Sequence, residues 1–492
     1  MTRIAAAILA LAGLVLVALG VVSGPAQLRP GVPAFVNADR PGINAHNSPA
    51  VAVDPSRPGV VALADRIDTP RFSCSVSVST NGGDSWRALT LPLPVEVPNC
   101  HQPDVAYGPG GTLLVLYTAT GGRFNQPIGV WLQRFAGETA EGPPTRVASG
   151  EAFHARMAVE GSNVWVTWVQ VDGAAEKPLG FGTTPALLRL ARSTDGGATF
   201  PFPVTVTDGR RVVQPSPVSI GGGRLVVGAL DLAGDFDDYE ARHGGQGGPP
   251  SEERWRVVTW TSVDGGATFG PPVTVADDLV PPARIIVNLA PAPSFAADPS
   301  QDGRVYVAWD AGRGDGRDVF LSRSDDAGTT WAPRVAVAAK VRAQFLPAVG
   351  VSPKGRVDVV FYDRAGDPED VRAQVTMRSS TDAGRTFPRT ATISDAPFDT
   401  RIGFGSLQGI PVLGSRLAVH SGTDRTLAFW SATSRGTVDT NVQDLAAVGV
   451  DVEQSGRRRP ALMLLGVLLV GLGGGLIAVV RLRPGGRRPQ EA

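Results

Sequence analysis

The sequence predicts an all-β protein, a seven-bladed β-propeller placed between two apolar terminal helices. Three observations lead to this prediction. An octapeptide of one pattern returns five times, a pair of apolar strands returns seven times at intervals of roughly 50–60 residues, and an uncharged apolar run lies near each end. With 492 residues, of which 42% are hydrophobic, the chain is long enough to bury the core of one large ring of sheets.

The charge balance limits the classes of partner. The chain has 46 basic and 46 acidic side chains, so its formal net charge is zero. A neutral protein has no overall electrostatic attraction to nucleic acid or to acidic lipid. We therefore expect no nucleic-acid partner.

The N-terminal segment, residues 1–26, is expected to direct export. Residues 4–22 are apolar, carry no charge and follow Arg3, which is typical of a signal peptide. The run is long for a signal peptide, so cleavage and retention as a membrane anchor both stay open. Residues 27–44 are expected to link this segment to the propeller, which we place at residues 45–452.

The C-terminal segment predicts a membrane span. Residues 461–480 contain no charge, and twenty helical residues at ~1.5 Å each cross the ~30 Å hydrocarbon layer. A basic linker, residues 453–460, precedes the span, and a basic tail, residues 481–492, follows it. Export of the body places that tail in the cytoplasm. The expected location is therefore the cell membrane, with one or two anchors and an extracytoplasmic propeller.

Cys74 and Cys100 are the only cysteines of the chain. In an exported protein, two cysteines predict one disulfide. Two cysteines with scattered histidines offer too few ligands for a zinc site, so we expect no metal or other cofactor from these residues.

Each octapeptide begins with Ser and continues with Asp or Asn third, Gly fifth and an aromatic residue eighth. These positions are Asn81, Gly83 and Trp86; Asp195, Gly197 and Phe200; Asp264, Gly266 and Phe269; Asp326, Gly328 and Trp331; and Asp382, Gly384 and Phe387. The acidic or amide side chain can accept backbone N–H groups downstream, and glycine adopts positive φ without steric cost. One or two carboxylates are too few for calcium, so the octapeptides predict hairpin turns.

The longer repeat contains a first strand, a turn, a second strand, a third strand and, in five copies, the octapeptide before a fourth strand. The copies begin at Pro49, Pro103, Ala155, Pro215, Pro293, Pro347 and Ser406. Four-stranded units that cannot bury a face alone are typical of propellers. In the seventh copy we assign the strand that ends at His420 as the second, and a strand at 34–36 is left over to close the ring. Six blades are the alternative if the seventh copy is not a blade.

The octapeptides resemble the Asp-box, or bacterial neuraminidase repeat, with the pattern S-x-D-x-G-x-T-W/F. The resemblance covers residues 45–450 and implies the sialidase-like superfamily, whose members are six- or seven-bladed propellers. In that superfamily the boxes are structural turns away from the catalytic face, so the resemblance does not by itself imply sialidase activity.

Sialidase chemistry in this superfamily uses an arginine cluster, an aspartic acid/base, and a tyrosine nucleophile backed by glutamate. It also has an Arg-Ile-Pro motif before the first blade. This sequence has no Arg-Ile-Pro; the nearest string is residues 283–286, between the fourth and fifth repeats. None of its five tyrosines lies in the late-blade position of the nucleophile, so catalytic residues stay unassigned.

Polar residues gather where second strands end and where one blade leads into the next. Both places lie on the face opposite the octapeptides. The candidates for ligand contact are Asp65, Arg66, His101, Asp104, Arg156, Asp310, Asp363, Arg364, Arg401 and His420. Arginine and aspartate converging near the axis can bind an anionic or hydroxyl-rich ligand. A ring of salt bridges between blades is the structural alternative.

Two glycine-rich acidic loops, residues 231–254 and 310–318, leave calcium binding open as an alternative to solvated turns.

We expect a monomeric surface module that binds a glycan or a surface protein. An exo-acting glycoside hydrolase of the sialidase type is the alternative, and a purely architectural propeller is the third. A hydrolase should hold two carboxylates, or a tyrosine and a carboxylate, about 5–10 Å apart across an open pocket. A binding module should show paired arginine–aspartate bridges instead.

Overall fold

The computed structural model describes the propeller and little of the two ends. The described residues are 27–37, 44–69, 71–122, 125–171, 187–207, 209–236, 248–281, 290–313, 316–403, 412–437, 439–440 and 442–452, with a few isolated positions between 7 and 14 and between 465 and 472. Most of the predicted export segment and membrane span therefore lies outside them. Within the described positions, no helix is both long and apolar enough to cross a membrane.

Contacts divide the chain into two units. One unit is Pro30–Val450, and it contains the blades. The other consists of residues 1–29 and 451–492. The strand bounds in chain order are β1 (Leu28–Pro30), β2 (Ala34–Phe35), β3 (His46–Val53), β4 (Val61–Ile67), β5 (Ser73–Ser79), β6 (Arg87–Ala88), β7 (Asn99–Tyr107), β8 (Thr112–Gly121), β9 (Gln126–Ala136), β10 (Thr139–Ala140), β11 (Thr145–Ser149), β12 (Ala152–Glu160), β13 (Asn163–Gln170), β14 (Leu187–Ser193), β15 (Val204–Thr205), β16 (Val212–Ser219), β17 (Leu225–Asp231), β18 (Trp255–Ser262), β19 (Val273–Leu279), β20 (Ser294–Ala297), β21 (Val305–Arg313), β22 (Gly316–Ser324), β23 (Val335–Ala338), β24 (Gln344–Val351), β25 (Val357–Asp363), β26 (Arg372–Ser380), β27 (Arg389–Thr392), β28 (Phe398–Asp399), β29 (Ala418–Ser421), β30 (Arg425–Ala432) and β31 (Asp444–Val452).

These strands form seven antiparallel sheets of four or five strands, which confirms the seven-bladed propeller and shows that the six-bladed alternative was wrong. Blade 1 is β3–β6, blade 2 is β7–β11, blade 3 is β12–β15, blade 4 is β16–β19, blade 5 is β20–β23, blade 6 is β24–β28, and blade 7 is β29–β31 with β1 and β2. The first strands of neighbouring blades contact one another, so they line the axis of the ring.

The core lies between adjacent blades. Every residue of β25 is buried because its sheet is covered on both faces. In one cluster, Tyr306 and Leu321 of blade 5 pack with Val349 and Phe361 of blade 6. A strand covered on both sides reads as a continuous apolar run, and this explains why second strands stood out in the sequence.

Blade 7 corrects one assignment. β29, which contains His420, contacts β24 of blade 6 and β3 of blade 1, so it is the first strand of its blade and not the second. β30 and β31 are the second and third strands, and the N-terminal strands pair with β31. The backbone N–H groups of Gly31 and Val36 donate to Gly449 O and Leu445 O, both at 2.8 Å. The expected ring closure by the 34–36 strand is therefore confirmed.

The octapeptides form turns of one geometry. In the copy around Asp195, the Gly197 N–H donates to Ser193 Oγ at 2.8 Å, and the Thr199 N–H donates to Asp195 Oδ1 at 3.0 Å. The Thr199 hydroxyl donates to the second carboxylate oxygen at 2.5 Å. The same bonds recur in the copies at 262–269, 324–331 and 380–387. The fifth-position glycines have φ between 74° and 93°, as the hairpin prediction requires.

The eighth residue of the octapeptide packs against the preceding blade. Trp86 of blade 1 meets the Phe429 ring of blade 7 edge-on, with centroids 5.6 Å apart. Trp331 of blade 5 donates from its indole N–H to the Thr259 hydroxyl of blade 4 at 3.2 Å. The turns therefore contribute to the contacts that hold consecutive blades together.

A β-bulge recurs in the first strands, and the sequence analysis did not predict it. In five blades a residue other than glycine takes φ near +50°: Ser48, Gln102, His154, Gln214 and Leu346. The register of each strand shifts at this point. A β-bulge changes the direction in which neighbouring side chains point. These five bulges lie near the beginning of the first strand of each of these blades.

Cys74 and Cys100 form the expected disulfide. Cys74 belongs to β5 of blade 1 and Cys100 to β7 of blade 2. The bond therefore joins two blades.

Candidate functional site

The ring has two faces with different chemistry. Turns between first and second strands, together with the octapeptides, lie on one side, which we call the octapeptide face. Second strands end, and first strands begin, on the other side, which we call the site face. His420 precedes the turn from β29 to β30, so it lies toward the octapeptide face. The sequence analysis placed it on the site face because it took β29 for a second strand.

Blades 1 and 2 bring three candidates together on the site face. Asp65 is held by His46, whose Nδ1 lies 2.6 Å from its carboxylate. Arg66 is completely buried and forms an ion pair with Asp68, with Nε 2.8 Å from Oδ1. Within the described part of the chain, Nη1 of Arg66 has no hydrogen-bond acceptor.

His101 lies beside this ion pair. Its Nε2 is 3.9 Å from the Asp68 carboxylate, and its ring is 4.9 Å from that of Phe72. Burial, followed by the positive charges of Arg66 and Arg416 and the neighbouring His154, holds the pKa of His101 well below its usual value. His101 is therefore neutral at neutral pH.

Arg416 completes this buried cluster and was missed by the sequence analysis. Its Nε donates to Pro49 O at 3.0 Å and its Nη2 to Pro103 O at 2.7 Å, so it links blade 7 to blades 1 and 2. Burial and the nearby Arg156 lower its pKa. No strand pattern marks this residue, because it lies just before the short strand β29.

Asp104 and Arg156 join blades 2 and 3. Arg156 Nε and the Met157 N–H both donate to Asp104 Oδ2 at 3.0 Å. The bulge residues extend the same connection, since the His154 N–H donates to the Gln102 side chain at 3.1 Å. This contact is one inter-blade salt bridge of the kind that the sequence analysis gave as the structural alternative.

Blades 5 and 6 enclose a cavity of about 200 Å³ on the site face, which we call the inner cavity. Its polar walls are Asp310, Arg317 and Arg364, and Phe345 supplies an aromatic wall. Arg317 Nη1 is 2.6 Å from Asp310 Oδ2, and the Arg364 guanidinium lies 5.0 Å from the centre of the Phe345 ring. Two sequence candidates, Asp310 and Arg364, therefore meet here.

The remaining candidates lie outside this cavity. Asp363 pairs with Lys340 Nζ at 2.7 Å. Arg401 pairs with Asp399 at 2.6 Å, and its side chain is 63% exposed. The sequence analysis missed Arg317 and Phe345. Arg317 lies in the glycine-rich turn at residues 310–318, for which the sequence analysis kept calcium binding as an alternative. The sequence signal that could have identified Arg317 was its positive charge shortly after Asp310 in the chain.

None of the four described tyrosines, Tyr107, Tyr117, Tyr306 and Tyr362, lines the inner cavity. Tyr117, Tyr306 and Tyr362 are completely buried. The Tyr306 hydroxyl donates to Asp298 at 3.3 Å, but this pair is buried near a turn of the octapeptide face. Burial raises the pKa of Tyr306 and of Tyr362 above the usual value. Sequence candidates on the site face instead form arginine–aspartate and lysine–aspartate pairs.

The two acidic loops show no metal centre within the described residues, where no group of three or more His, Cys, Asp or Glu side chains could hold an ion. Asp235 accepts the Trp255 indole N–H at 2.7 Å and the Ser251 N–H at 2.6 Å, so its carboxylate is used inside the fold. Three further acidic positions of the first loop, 237, 238 and 240, lie outside the described residues, as does position 315 of the second.

Comparison with known proteins finds similar solved structures but no matching sequence family. No family model matches the chain, and no curated protein matches it. A protein of unknown function from Dyadobacter fermentans is similar, with 14% identity, a TM-score of 0.48, and coverage of 87% of this chain and all of the other. The phage phi92 endosialidase has 11% identity, a TM-score of 0.47, and coverage of 87% and 69%. A Hadza microbial sialidase, Hz136, has 14% identity, a TM-score of 0.43, and coverage of 84% and 68%.

Proposed function

We propose that this protein is a membrane-anchored, extracytoplasmic propeller of the sialidase-like, Asp-box type. In this proposal the site face binds an acidic, hydroxyl-rich ligand such as a glycan or a glycan-bearing surface protein. The observation that carries the proposal is the inner cavity, where two arginines, one aspartate and an aromatic ring surround a space of about 200 Å³.

The chemistry of the inner cavity suits one acidic sugar residue. At about 200 Å³ it is smaller than the roughly 300–1,000 Å³ pockets that hold drug-sized ligands. Arg317 is paired with Asp310 at 2.6 Å, and Arg364, which also lines the cavity, has the Asp370 carboxylate 4.0 Å from its guanidinium. Guanidinium groups bind carboxylates through two parallel hydrogen bonds, and aspartate accepts hydroxyl donors.

Binding is favoured over hydrolysis by the pairing of charges. The carboxylates of Asp104, Asp310 and Asp363 each lie within 3.0 Å of an arginine or lysine nitrogen. Each of these carboxylates is therefore already engaged by a cation of the protein, whereas a hydrolase needs a carboxylate that faces the substrate across an open pocket. This is the pattern that the sequence analysis set out for a binding module.

Calorimetric titration of the full-length protein in detergent tests the proposal. The probes are N-acetylneuraminic acid and glucuronic acid, with glucose as the neutral comparison. We expect the acids to bind and Arg364→Met to weaken them at least tenfold. Arg401→Met is the matched control, because it removes an exposed, ion-paired arginine outside the cavity and should change nothing.

Equal binding of glucose and the acids, or no binding at all, contradicts the proposal. Release of a fluorophore from a sialoside would establish the hydrolase alternative in its place. The membrane anchor is tested separately, by deleting residues 461–492. We expect the deletion to move the protein from the membrane fraction to the soluble extracytoplasmic fraction.

A further inference from the structure

The outer edge of blade 7 is where the chain enters and leaves the ring. The strands β1 and β2 pair with β31 along this edge, and the Gly31 N–H donates to Gly449 O at 2.8 Å. Farther along, Ala34 pairs with Ala447, so the two segments run antiparallel. The beginning of β1 therefore lies beside the end of β31, which puts the entry and the exit of the chain at the same place.

The direction of β31 puts this exit on the octapeptide face. Gln443, just before β31, donates its N–H to Asn44 O and accepts the His46 N–H, both at 2.9 Å. These partners are at the beginning of the first strand of blade 1, so β31 begins on the site face. It then runs for nine residues, which is about 30 Å at ~3.3 Å per residue. The chain therefore leaves the blade at the end opposite the site face.

Only a short tether separates this exit from the predicted membrane span. Residues 453–460 lie between Val452 and the span at 461–480, and residues 457–459 are three arginines. Basic residues beside a span are attracted to anionic lipid headgroups, which holds that part of the linker at the membrane surface. The four residues that remain, 453–456, reach at most about 14 Å when fully extended. This reach is only about half of the length of β31.

Exposed apolar side chains lie on the same edge. Val32, between β1 and β2, is 91% exposed, and Phe35 is 40% exposed. Val32 directly follows Gly31, the partner of Gly449, so it lies opposite a part of β31 only a few residues before the exit. An apolar side chain at a membrane surface gains free energy by entering the boundary between headgroups and acyl chains.

Exposure alone does not select a face of the ring. Val341, on the link from blade 5 to blade 6 at the site face, is 89% exposed, and single exposed apolar residues are common on protein surfaces. The selection comes from the direction of β31 and from the short tether. Together they bring the blade 7 edge close to the bilayer and keep the site face away from it.

We infer that the corner of blade 7, where its outer edge meets the octapeptide face, rests on the surface of the lipid bilayer. Val32 enters the headgroup region, and the site face points away from the membrane. A ligand therefore reaches the site face from the extracytoplasmic medium, and lipid headgroups do not reach it. This inference rests on the membrane anchor of the proposed function and adds an interaction surface whose partner is lipid.

Two labelled variants of the full-length protein test the inference. Val32→Cys and Val341→Cys receive the same nitrobenzoxadiazole dye, while the native disulfide stays oxidised. The two positions are matched, because both are valines with nearly equal exposure, 91% and 89%, on different sides of the ring. Each protein is reconstituted into vesicles of phosphatidylethanolamine and phosphatidylglycerol, with or without spin-labelled phosphatidylcholine, which quenches a dye that contacts lipid.

We expect the spin-labelled lipid to reduce the fluorescence of the dye at position 32 at least twofold and to leave the dye at position 341 unchanged. Quenching at position 341 that equals or exceeds quenching at position 32 would show that the site face meets the bilayer, and it overturns the inference. Absence of quenching at both positions, in protein that floats with the vesicles, shows a propeller held away from the surface and also overturns it.

Flotation separates the inference from the proposed function. Protein that does not float with the vesicles has no membrane anchor, which overturns that part of the proposed function together with the inference. Protein that floats but shows the wrong pattern of quenching overturns the inference alone.

Discussion

Replacing Asp264 by asparagine or by alanine tests whether the octapeptide turns need a charge or only hydrogen-bond acceptors. Asp264 accepts the Thr268 N–H at 2.9 Å, the Thr268 hydroxyl at 2.5 Å and the Ser262 hydroxyl at 2.8 Å. Alanine removes both acceptor oxygens and so all three hydrogen bonds. Asparagine keeps Oδ1 and turns the other oxygen into a donor.

The size of each effect follows from these bonds. At about 1 kcal/mol for each hydrogen bond, alanine loses at most about 3 kcal/mol. Because the side chain is exposed, water replaces part of that loss, and we expect about 1–2 kcal/mol. Asparagine should cost less than about 1 kcal/mol. The octapeptide copy that contains Asn81 shows why an amide is tolerated at this position. The Asn81 Nδ2 donates to the Ser85 hydroxyl at 2.9 Å, so the side chain still bonds to the seventh residue of the turn.

Urea unfolding of wild type and both variants, followed by tryptophan fluorescence, gives the free energies of unfolding. The series is repeated in EDTA and in calcium. Asparagine as damaging as alanine, together with loss of wild-type stability in EDTA, would refute the turn interpretation and show that the carboxylate holds a cation. A second readout is acid unfolding, because hydrogen bonds from Thr268 and Ser262 lower the pKa of Asp264 to about 2.

Three further predictions concern ring closure, the disulfide and pH. Asn37→Ala should cost about 2 kcal/mol in urea unfolding, because the Asn37 side chain accepts the Leu445 N–H and donates to Asp444, both at 2.9 Å; an unchanged midpoint contradicts closure by this segment. Reducing the disulfide at Cys74 should cost about 3.5 kcal/mol for a separation of 26 residues, measured as a lower Tm in dithiothreitol. The free energy of unfolding should decrease as the pH is lowered below about 6.5, because His101 binds a proton in the unfolded chain but not in the folded one. A free energy of unfolding that stays constant from pH 7 to pH 5 would contradict this prediction.

The fold was largely predictable from local chemistry. The octapeptides specify a turn through contacts within eight residues, so a pattern such as Ser262 to Phe269 is informative without any tertiary context. Second strands such as β25 are recognisable because both of their faces are buried. Blade 7 was misassigned by one strand, because its first strand, β29, has only four residues and was taken for a second strand.

The sequence predicted on which face of the ring the candidate site lies, but not which residues form it. The sequence placed Asp310 and Arg364 at the ends of second strands, and strand direction then put both on one side of the ring. It did not show that Arg317 turns back onto Asp310, or that Phe345 forms a wall beside Arg364. The first contact depends on the β21–β22 hairpin, and the second depends on the pairing of β24 with β25 in blade 6.

Sequence by itself determined the repeat of four-stranded units, the position of the octapeptide turns and the disulfide partners, because each depends on residues close in the chain or on an obligatory pair. Tertiary structure decided which of the polar residues are buried as ion pairs and which line a cavity. The physical reason is that closing the ring brings together side chains from different blades, such as Arg416 with Pro49 and Pro103, and only that closure sets their distances, burial and charge.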